Sequence, residues 1–335
     1  MDITAYRLGR PGDPSSLVRR EEKLRAPGPG EVLVRVKASA LNFRDLMILN
    51  GWLPYPATPG LVPLSDGAGE IIETGEGVTR FAVGNRVVGS FNPTWYGGRL
   101  RKHLPLYGTS LDGWLTSHKI VSADALALVP EAMSLEEAAT LPCAGVTALS
   151  ALSGITPGDV VLTQGSGGVS LFAIQLAKLS GARVVATTTS PGKAEKLKAL
   201  GASHVIDVGA TPEWARELRA LTNGAGADRI VEVGGPASMA QSMAAVALGG
   251  QVSIVGALSA GPQQPGIDFM RLFMSQARYE CIGVGSRSDL EDLLRVSELH
   301  RLRPIVDSTF LFSEVDKAFG RLAGRSVFGK VIITH

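Results

Sequence analysis

The chain has 335 residues, of which 45% are hydrophobic and 40 are glycine, enough for two domains with sizeable cores joined by many tight turns. Its 33 basic and 31 acidic residues nearly cancel, and no run of Lys and Arg is interleaved with aromatics, which argues against nucleic acid or an anionic membrane as a partner. No run of about 18 apolar residues occurs and no apolar signal core follows Met1-Asp2-Ile3-Thr4, so a cytoplasmic protein is expected. Cys143 and Cys281 lie far apart in apolar surroundings, which suits two reduced, buried thiols better than a bridge.

Met1-Asp2-Ile3-Thr4 opens a strand-like segment. Short alternating strands follow, such as Glu31-Val32-Leu33-Val34-Arg35-Val36-Lys37 and Gly69-Glu70-Ile71-Ile72-Glu73, separated by turns such as Pro27-Gly28-Pro29-Gly30. This part reads as a β-barrel-like domain. From about residue 125 strands alternate with helices, the signature of a parallel sheet with helices on both faces. Val160-Val161-Leu162-Thr163-Gln164 is a buried strand, and Gly165, Ser166, Gly167, Gly168 and Val169 form a glycine turn. A helix then places Val169, Phe172, Ala173, Leu176 and Ala177 at helical spacing, Gly181 stops it, and Arg183-Val184-Val185-Ala186 is the second strand. Such a turn exposes backbone N–H groups at a helix N-terminus, where the peptide dipoles favour the pyrophosphate of a dinucleotide, and so implies a nicotinamide cofactor. Ser170 takes the place of the usual last glycine, where helix–strand packing asks only for a small residue.

The pattern continues with a third strand at His204-Val205-Ile206, a helix opened by Thr211-Pro212, a fourth strand at Arg229 to Val233 ended by Gly234-Gly235, and a helix from Ser238 to Leu248. A fifth strand at Gln251 to Val255 and a sixth at Tyr279 to Val284 complete a doubly wound Rossmann sheet. The tail from Leu302 to His335 returns to short strands such as Lys330 to Thr334 and most simply rejoins the first domain. The expected fold is α/β, with a β-rich domain of residues 1–124 and 289–335 and a six-stranded Rossmann domain of residues 125–288.

The same unit bears on the choice of cofactor. An NAD site carries an Asp or Glu at the end of its second strand to hold the ribose hydroxyls. Here that place reads Thr187-Thr188-Thr189-Ser190, and Lys193 follows as a positive charge. This favours NADP(H), with Lys193 toward a 2′-phosphate and Thr188 and Ser190 among the cofactor-binding residues. The alternative is that Lys193 is an ordinary solvated helix residue beside Lys196 and Lys198.

Several ordered segments resemble one family across nearly the whole length. Pro27-Gly28-Pro29-Gly30-Glu31-Val32-Leu33-Val34-Arg35-Val36 resembles the opening of a GroES-like catalytic domain, and Ala40-Leu41-Asn42-Phe43-Arg44-Asp45 resembles its active-site turn. Asp66-Gly67-Ala68-Gly69-Glu70-Ile71, Glu137 to Pro142, Gly145-Val146-Thr147-Ala148 and Phe328-Gly329-Lys330-Val331 are similar to further landmarks. The chain thus resembles the medium-chain dehydrogenase/reductase superfamily, in its zinc-free quinone oxidoreductase-like branch. Relative to the zinc alcohol dehydrogenases of that superfamily, Asn42 stands where the first Cys ligand would be and Ser65-Asp66 replaces a His-Glu pair. Only Cys143 matches a ligand position, and the four-cysteine structural lobe is missing. One soft ligand does not make a site that needs three protein ligands and an open position. No metal is therefore expected, and Cys143 reads as a small buried hydrophobe. A zinc rebuilt from His103, His118 and Asp66 has no support from spacing; both histidines read as surface or satisfied residues.

The resemblance implies a nicotinamide held between the two domains and direct hydride transfer to a bound acceptor. The expected activity is NADPH-dependent, zinc-independent reduction of a quinone or an α,β-unsaturated carbonyl, since hydride delivery to a conjugated acceptor asks less of a metal-free protein than oxidation of an unactivated alcohol. Asn42 is the candidate donor to the acceptor oxygen, Thr147 lines the nicotinamide, Tyr96 is an outside candidate for a proton donor, and water can supply the second proton. Arg44 and Asp45 orient the acceptor or, more simply, pair with each other. Trp52, Tyr55, Trp95 and Tyr96 line a flat pocket or pack locally, and the long polar segment from Asn92 to Asp112 shapes substrate choice. The resemblance adds Gly234, Gly256, Val284, Gly285, Arg287 and Lys330 to the cofactor-binding set, with Arg287 read either as a phosphate ligand or as a surface residue. It further implies a homodimer formed through the sixth strands. The rival readings are a zinc-free alcohol or aldehyde dehydrogenase and a non-catalytic NADPH-binding protein.

Overall fold

The computed structural model describes residues 1–53, 57–256 and 268–335. The chain opens with an antiparallel hairpin of β1 (Asp2–Leu8) and β2 (Leu17–Lys23). After the Pro27–Gly30 turn comes β3 (Glu31–Leu41), which leads directly into α1 (Phe43–Leu49). Strands β4 (Asp66–Thr74), β5 (Arg86–Gly89), β6 (His118–Ser122) and β7 (Leu126–Leu128) follow, with β3 pairing both β4 and β6. Val32, Val34, Val36, Ile71, Val87 and Leu126 close a core around the fully buried ring of Trp114. The glycine of the Asp66-Gly67 pair is sterically required here, because a Cβ at Gly67 would lie 2.6 Å from that ring. Next, Ser134 and Glu137 cap α2 (Leu135–Ala139) by reciprocal hydrogen bonds of 3.1 and 2.9 Å. One π-helical turn, Leu141–Gly145, joins it to α3 (Val146–Ala151).

The second stretch is β8 (Val160–Gln164), α4 (Gly168–Leu179), β9 (Arg183–Thr188), α5 (Ala194–Leu200), β10 (His204–Asp207), α6 (Trp214–Leu221), β11 (Ala227–Glu232), α7 (Pro236–Ala245), β12 (Val246–Ile254), α8 (Phe269–Ser275) and β13 (Arg278–Cys281). The six strands pair in parallel in the order β10-β9-β8-β11-β12-β13, so the expected doubly wound sheet is present. Leu162, Val185, Ile206, Trp214, Leu218, Ile230 and Val252 form its core. Some boundaries differ from the sequence reading: α6 starts at Trp214 rather than Pro212, and α7 ends at Ala245 rather than Leu248 because the chain is already extended in β12. The expectation of a buried Cys281 is corrected. The run Tyr279-Glu280-Cys281 reads as a covered strand, but β13 is the edge strand of its sheet and Cys281 is exposed. Cys143 is part-buried, and both thiols are free.

The chain then forms α9 (Arg287–His300), β14 (Val306–Leu311), α10 (Val315–Ala323) and β15 (Lys330–Thr334). Strand β15 pairs antiparallel with β3 and parallel with β14, giving a sheet of order β14-β15-β3-β4-β5-β7. Two compact units result, Met1–Val146 with Val284–His335, and Thr147–Gly283. The division comes later in the chain than residue 125 because β7 pairs with β5. Likewise the second crossing precedes residue 289, since the backbone N–H groups of Arg287 and Ser288 bond to the carbonyls of Trp95 and Tyr96. Among the described residues no helix is long and apolar enough to cross a membrane.

Candidate active site and cofactor cradle

In the second unit, β8 ends at Gln164 and the chain reverses at Gly165, whose φ of +73° is left-handed and free of strain only for glycine. Gly167 is the N-cap of α4 and offers no side-chain cap, so the first N–H groups of a twelve-residue helix stay directed outward. A Cβ at Gly167 would meet no atom within 4 Å, leaving a cradle above the helix end. Ser170 donates to the Gln164 carbonyl at 2.6 Å, so the expected small residue is also a strand–helix clasp. At the end of β9, Thr188 Oγ1 accepts from the Ser190 N–H at 3.1 Å. Lys193 reaches back to donate to Ser166 Oγ at 3.0 Å, which brings its ammonium onto the glycine turn. Gly165, Ser166, Gly167, Gly168, Val169, Thr188, Ser190 and Lys193 are thus gathered at the carboxyl ends of β8 and β9, beside the switch from β8 to β11 where doubly wound sheets bind ligands.

Gly234 and Gly256 follow β11 and β12, and a buried network that the sequence reading missed fixes the loop between them. Glu232 is fully buried. Its Oε1 accepts from the N–H groups of Gly234 (2.8 Å) and Gly235 (2.9 Å) and from Ser238 Oγ (2.5 Å). Its Oε2 accepts from Gln164 Nε2 at 2.7 Å and from Ser242 Oγ. Gln164 Oε1 in turn accepts from Gly234 N–H at 3.2 Å, and the Glu232 carbonyl accepts from Gly256 N–H at 3.2 Å. The signal was available: a carboxylate inside the apolar strand Ile230-Val231-Glu232-Val233 has to be paired to be buried.

In the first unit the end of β3, the start of β4, the π turn and the start of β15 meet. Asn42 is the N-cap of α1, and Asp45 reaches back to accept from the Asn42 N–H at 2.7 Å. The Asn42 side chain faces two charges. Lys330 Nζ donates to Asn42 Oδ1 at 2.5 Å and to the Leu41 carbonyl at 2.7 Å, while Asn42 Nδ2 donates to Asp66 Oδ2 at 2.9 Å. Asp66 also accepts from Ser65 Oγ (2.9 Å) and from the backbone N–H of Cys143 (3.3 Å), which the π turn presents to it, and lies 3.9 Å from Lys330 Nζ. Lys330 is 3% exposed and Asp66 fully buried.

Burial raises the proton affinity of the Asp66 carboxyl, opposed first by the Lys330 ammonium and then by the Asn42 and Ser65 hydrogen bonds. Burial likewise pushes Asp45 up to about 6, against the Arg44 guanidinium, and pushes the Cys143 thiol well up, with Asp66 adding to the effect. Cys143 therefore stays a thiol at neutral pH. This donor set does not suit a tetrahedral zinc ion: it offers one thiol, one carboxylate already engaged, an amide and an ammonium. Among the described residues no three His, Cys, Asp or Glu side chains are grouped to hold a metal. His103 is exposed, and His118 Nδ1 lies 3.1 Å from Ser117 Oγ.

The remaining candidates are scattered. Thr147 is buried at the start of α3. Arg44 lies 3.8 Å from Asp45, donates to the Tyr107 carbonyl at 3.2 Å and lies over the Phe91 ring at 5.0 Å from its centroid. Tyr96 is 44% exposed beneath Arg287, whose guanidinium lies 5.2 Å from the ring centroid and also bonds the Asp124 carbonyl at 2.8 Å. Trp52 is exposed, Trp95 donates to the Gly98 carbonyl at 2.8 Å, and Tyr55 lies outside the described residues. Val284, a β-branched residue, has a φ of +70°, a strain no sequence pattern announces. Gly285 directly follows it.

Residues 28–131 match a family model described as an alcohol dehydrogenase GroES-like domain, and residues 168–298 match one described as a zinc-binding dehydrogenase. A zinc-type alcohol dehydrogenase-like protein of Schizosaccharomyces pombe is 38% identical, the alignment covering 91% of each chain. An acryloyl-coenzyme A reductase of Metallosphaera sedula is 31% identical over 94% of this chain and 95% of its own. Among solved structures, a putative alcohol dehydrogenase from Sinorhizobium meliloti 1021 superposes with a TM-score of 0.92 at 34% identity, covering 100% of this chain and 99% of its own.

Proposed function

The chain belongs to the medium-chain dehydrogenase/reductase superfamily of oxidoreductases, and within it we propose an NADPH-dependent, zinc-independent reductase of quinones or α,β-unsaturated carbonyls. The observation that carries this reading is the Lys330–Asn42–Asp66 cluster, in which a buried ammonium stands among the groups that replace the zinc ligands. A bound nicotinamide supplies the hydride. The chain's own groups position the acceptor and stabilise the charge that arrives on its oxygen; the second Asn42 Nδ2–H, which has no partner among the described residues, is the donor for that oxygen. Water delivers the proton that completes the reduction. The acryloyl group in the name of the Metallosphaera relative is an acceptor of this kind.

The glycine turn and the N-terminus of α4 hold the pyrophosphate, and Lys193 with Ser166 and Ser190 hold a 2′-phosphate, at a strand end whose sequence, Thr187-Thr188-Thr189-Ser190, carries no carboxylate. A homodimer formed through β13 is part of the proposal. Among the described residues that strand is the edge of its sheet, and Phe269, Met270, Phe273 and Met274 of α8 are each more than 60% exposed. Light scattering on the purified protein checks it.

The deciding experiment follows NADPH and NADH consumption by chelator-treated protein with a small quinone and an enone, before and after adding zinc. NADPH-preferring turnover indifferent to zinc is expected. Turnover that appears only with zinc overturns the metal-free site, and NADP-linked oxidation of alcohols without metal favours the dehydrogenase reading suggested by the names of the relatives. Cofactor binding without turnover favours the binding-only protein.

A further inference from the structure

An asparagine amide presents one acceptor oxygen and two N–H donors, and its orientation follows from what faces it. At Asn42 the two partners are unambiguous. Lys330 can only donate, so the atom 2.5 Å from its Nζ is the oxygen. Asp66 Oδ2 accepts the 2.9 Å bond from Nδ2. The amide is therefore held at both ends, and the remaining N–H is the one side-chain donor of Asn42 left for another molecule.

Lys330 is placed to do this by the sheet. It is the first residue of β15, whose next residue, Val331, pairs with Leu41 at the end of β3, so the side chain runs under the last carbonyl of that strand. Two acceptors, a carboxylate 3.9 Å away and 3% exposure leave the ammonium little freedom. The resemblance of Phe328-Gly329-Lys330-Val331 to a family landmark suggests a cofactor ligand, but here the ammonium is directed to Asn42.

We propose that Lys330 is the positioning residue of the acceptor site: its ammonium clamps Asn42 Oδ1, fixes the amide with its free N–H toward the acceptor oxygen, and polarises that donor. It stands as an immobile monovalent cation among residues that replace metal ligands. Hydrogen bonds in a chain strengthen one another, and a charged donor on Oδ1 withdraws electron density from the amide nitrogen. The inference rests on the reductase reading for its kinetic consequence but not for its geometry.

The test uses Lys330→Met, Lys330→Arg, Asn42→Ala and the Lys330→Met/Asn42→Ala double variant. Lys330→Met should lower kcat for the enone by about tenfold to a hundredfold, somewhat less than full removal of an oxyanion donor, with NADPH KM unchanged. Lys330→Arg should restore part of the rate. In the Asn42→Ala background Lys330→Met should cost nothing further, because coupled groups are non-additive. A raised NADPH KM at unchanged kcat, or additive losses, overturns the proposal and returns Lys330 to the cofactor. A readout independent of turnover separates this inference from the activity: the Asn42 Nδ2 proton resonances, assigned by their loss in Asn42→Ala, should move in Lys330→Met and hold in Lys330→Arg. Unmoved resonances overturn it even in an active enzyme. If Lys330→Met does not fold with Asp66 unpaired, the charge-neutral Lys330→Met/Asp66→Asn variant is compared with Asp66→Asn alone in each measurement, and the difference between those two carries the same outcomes.

Discussion

Two buried polar clusters differ in how completely they are satisfied. Around Glu232 in the second unit, five donors converge on one carboxylate, and Gln164 and two serines belong to the same closed set. Around Asn42 in the first unit, an ammonium and a carboxylate hold an amide that retains one donor without a partner among the described residues. A closed network can only hold backbone in place, here the Gly234–Gly235 loop next to the cofactor cradle. An open one has capacity for a ligand atom. The contrast separates the two clusters more sharply than burial does, since Glu232 and Asp66 are equally buried.

The largest way to break the contrast is Asn42→Ala. With an enone or quinone acceptor kcat/KM should fall about a hundredfold to a thousandfold, as for loss of one oxyanion donor, while NADPH affinity measured by fluorescence titration stays unchanged. Undiminished turnover would make the open donor irrelevant. Glu232→Ala should do the reverse. It strands several buried donors and should cost about 2–3 kcal/mol of stability, read as a lowered Tm that bound NADPH partly restores.

Lys193→Ala probes the cradle directly. NADPH affinity should drop roughly tenfold, about 1.4 kcal/mol, with NADH affinity unmoved; an equal loss for both cofactors would remove Lys193 from the 2′-phosphate. The smallest effect near neutral pH concerns His335. Its ring nitrogen lies 2.7 Å from Ser39 Oγ and its ring centroid 4.5 Å from that of Phe312, tilted by 34°, and burial lowers its pKa from 6.5 to about 3. Between those values the unfolded chain binds the extra proton, so this group withdraws stability as pH falls below about 6.5. His335→Gln should flatten the acid limb of a Tm-against-pH curve relative to the unsubstituted protein, and an unchanged limb would exclude His335 as its source.

Much of the fold was legible because it is local. The glycine turn, the helix period after it and the order of six short strands each depend on neighbours in sequence, and the structure adjusts them only at their ends, as at Trp214 and Ala245. Asn42 was legible as a candidate through its motif, and the end of β9 drew notice through its missing carboxylate. Cys281 was misread because strand composition does not say which strand is at the edge.

By itself the sequence determined the βαβ unit and the alternation that makes a doubly wound sheet, since residue type and short-range spacing decide both. Only the tertiary structure decided what those residues face. Lys330 and Asn42 are 288 residues apart, and Glu232 and Gln164 are 68 apart. The return of β15 beside β3 and the pairing of β8 with β11 close those distances. Hydrogen bonds and buried charges act over a few ångströms, so their partners are set by sheet register rather than by position along the chain.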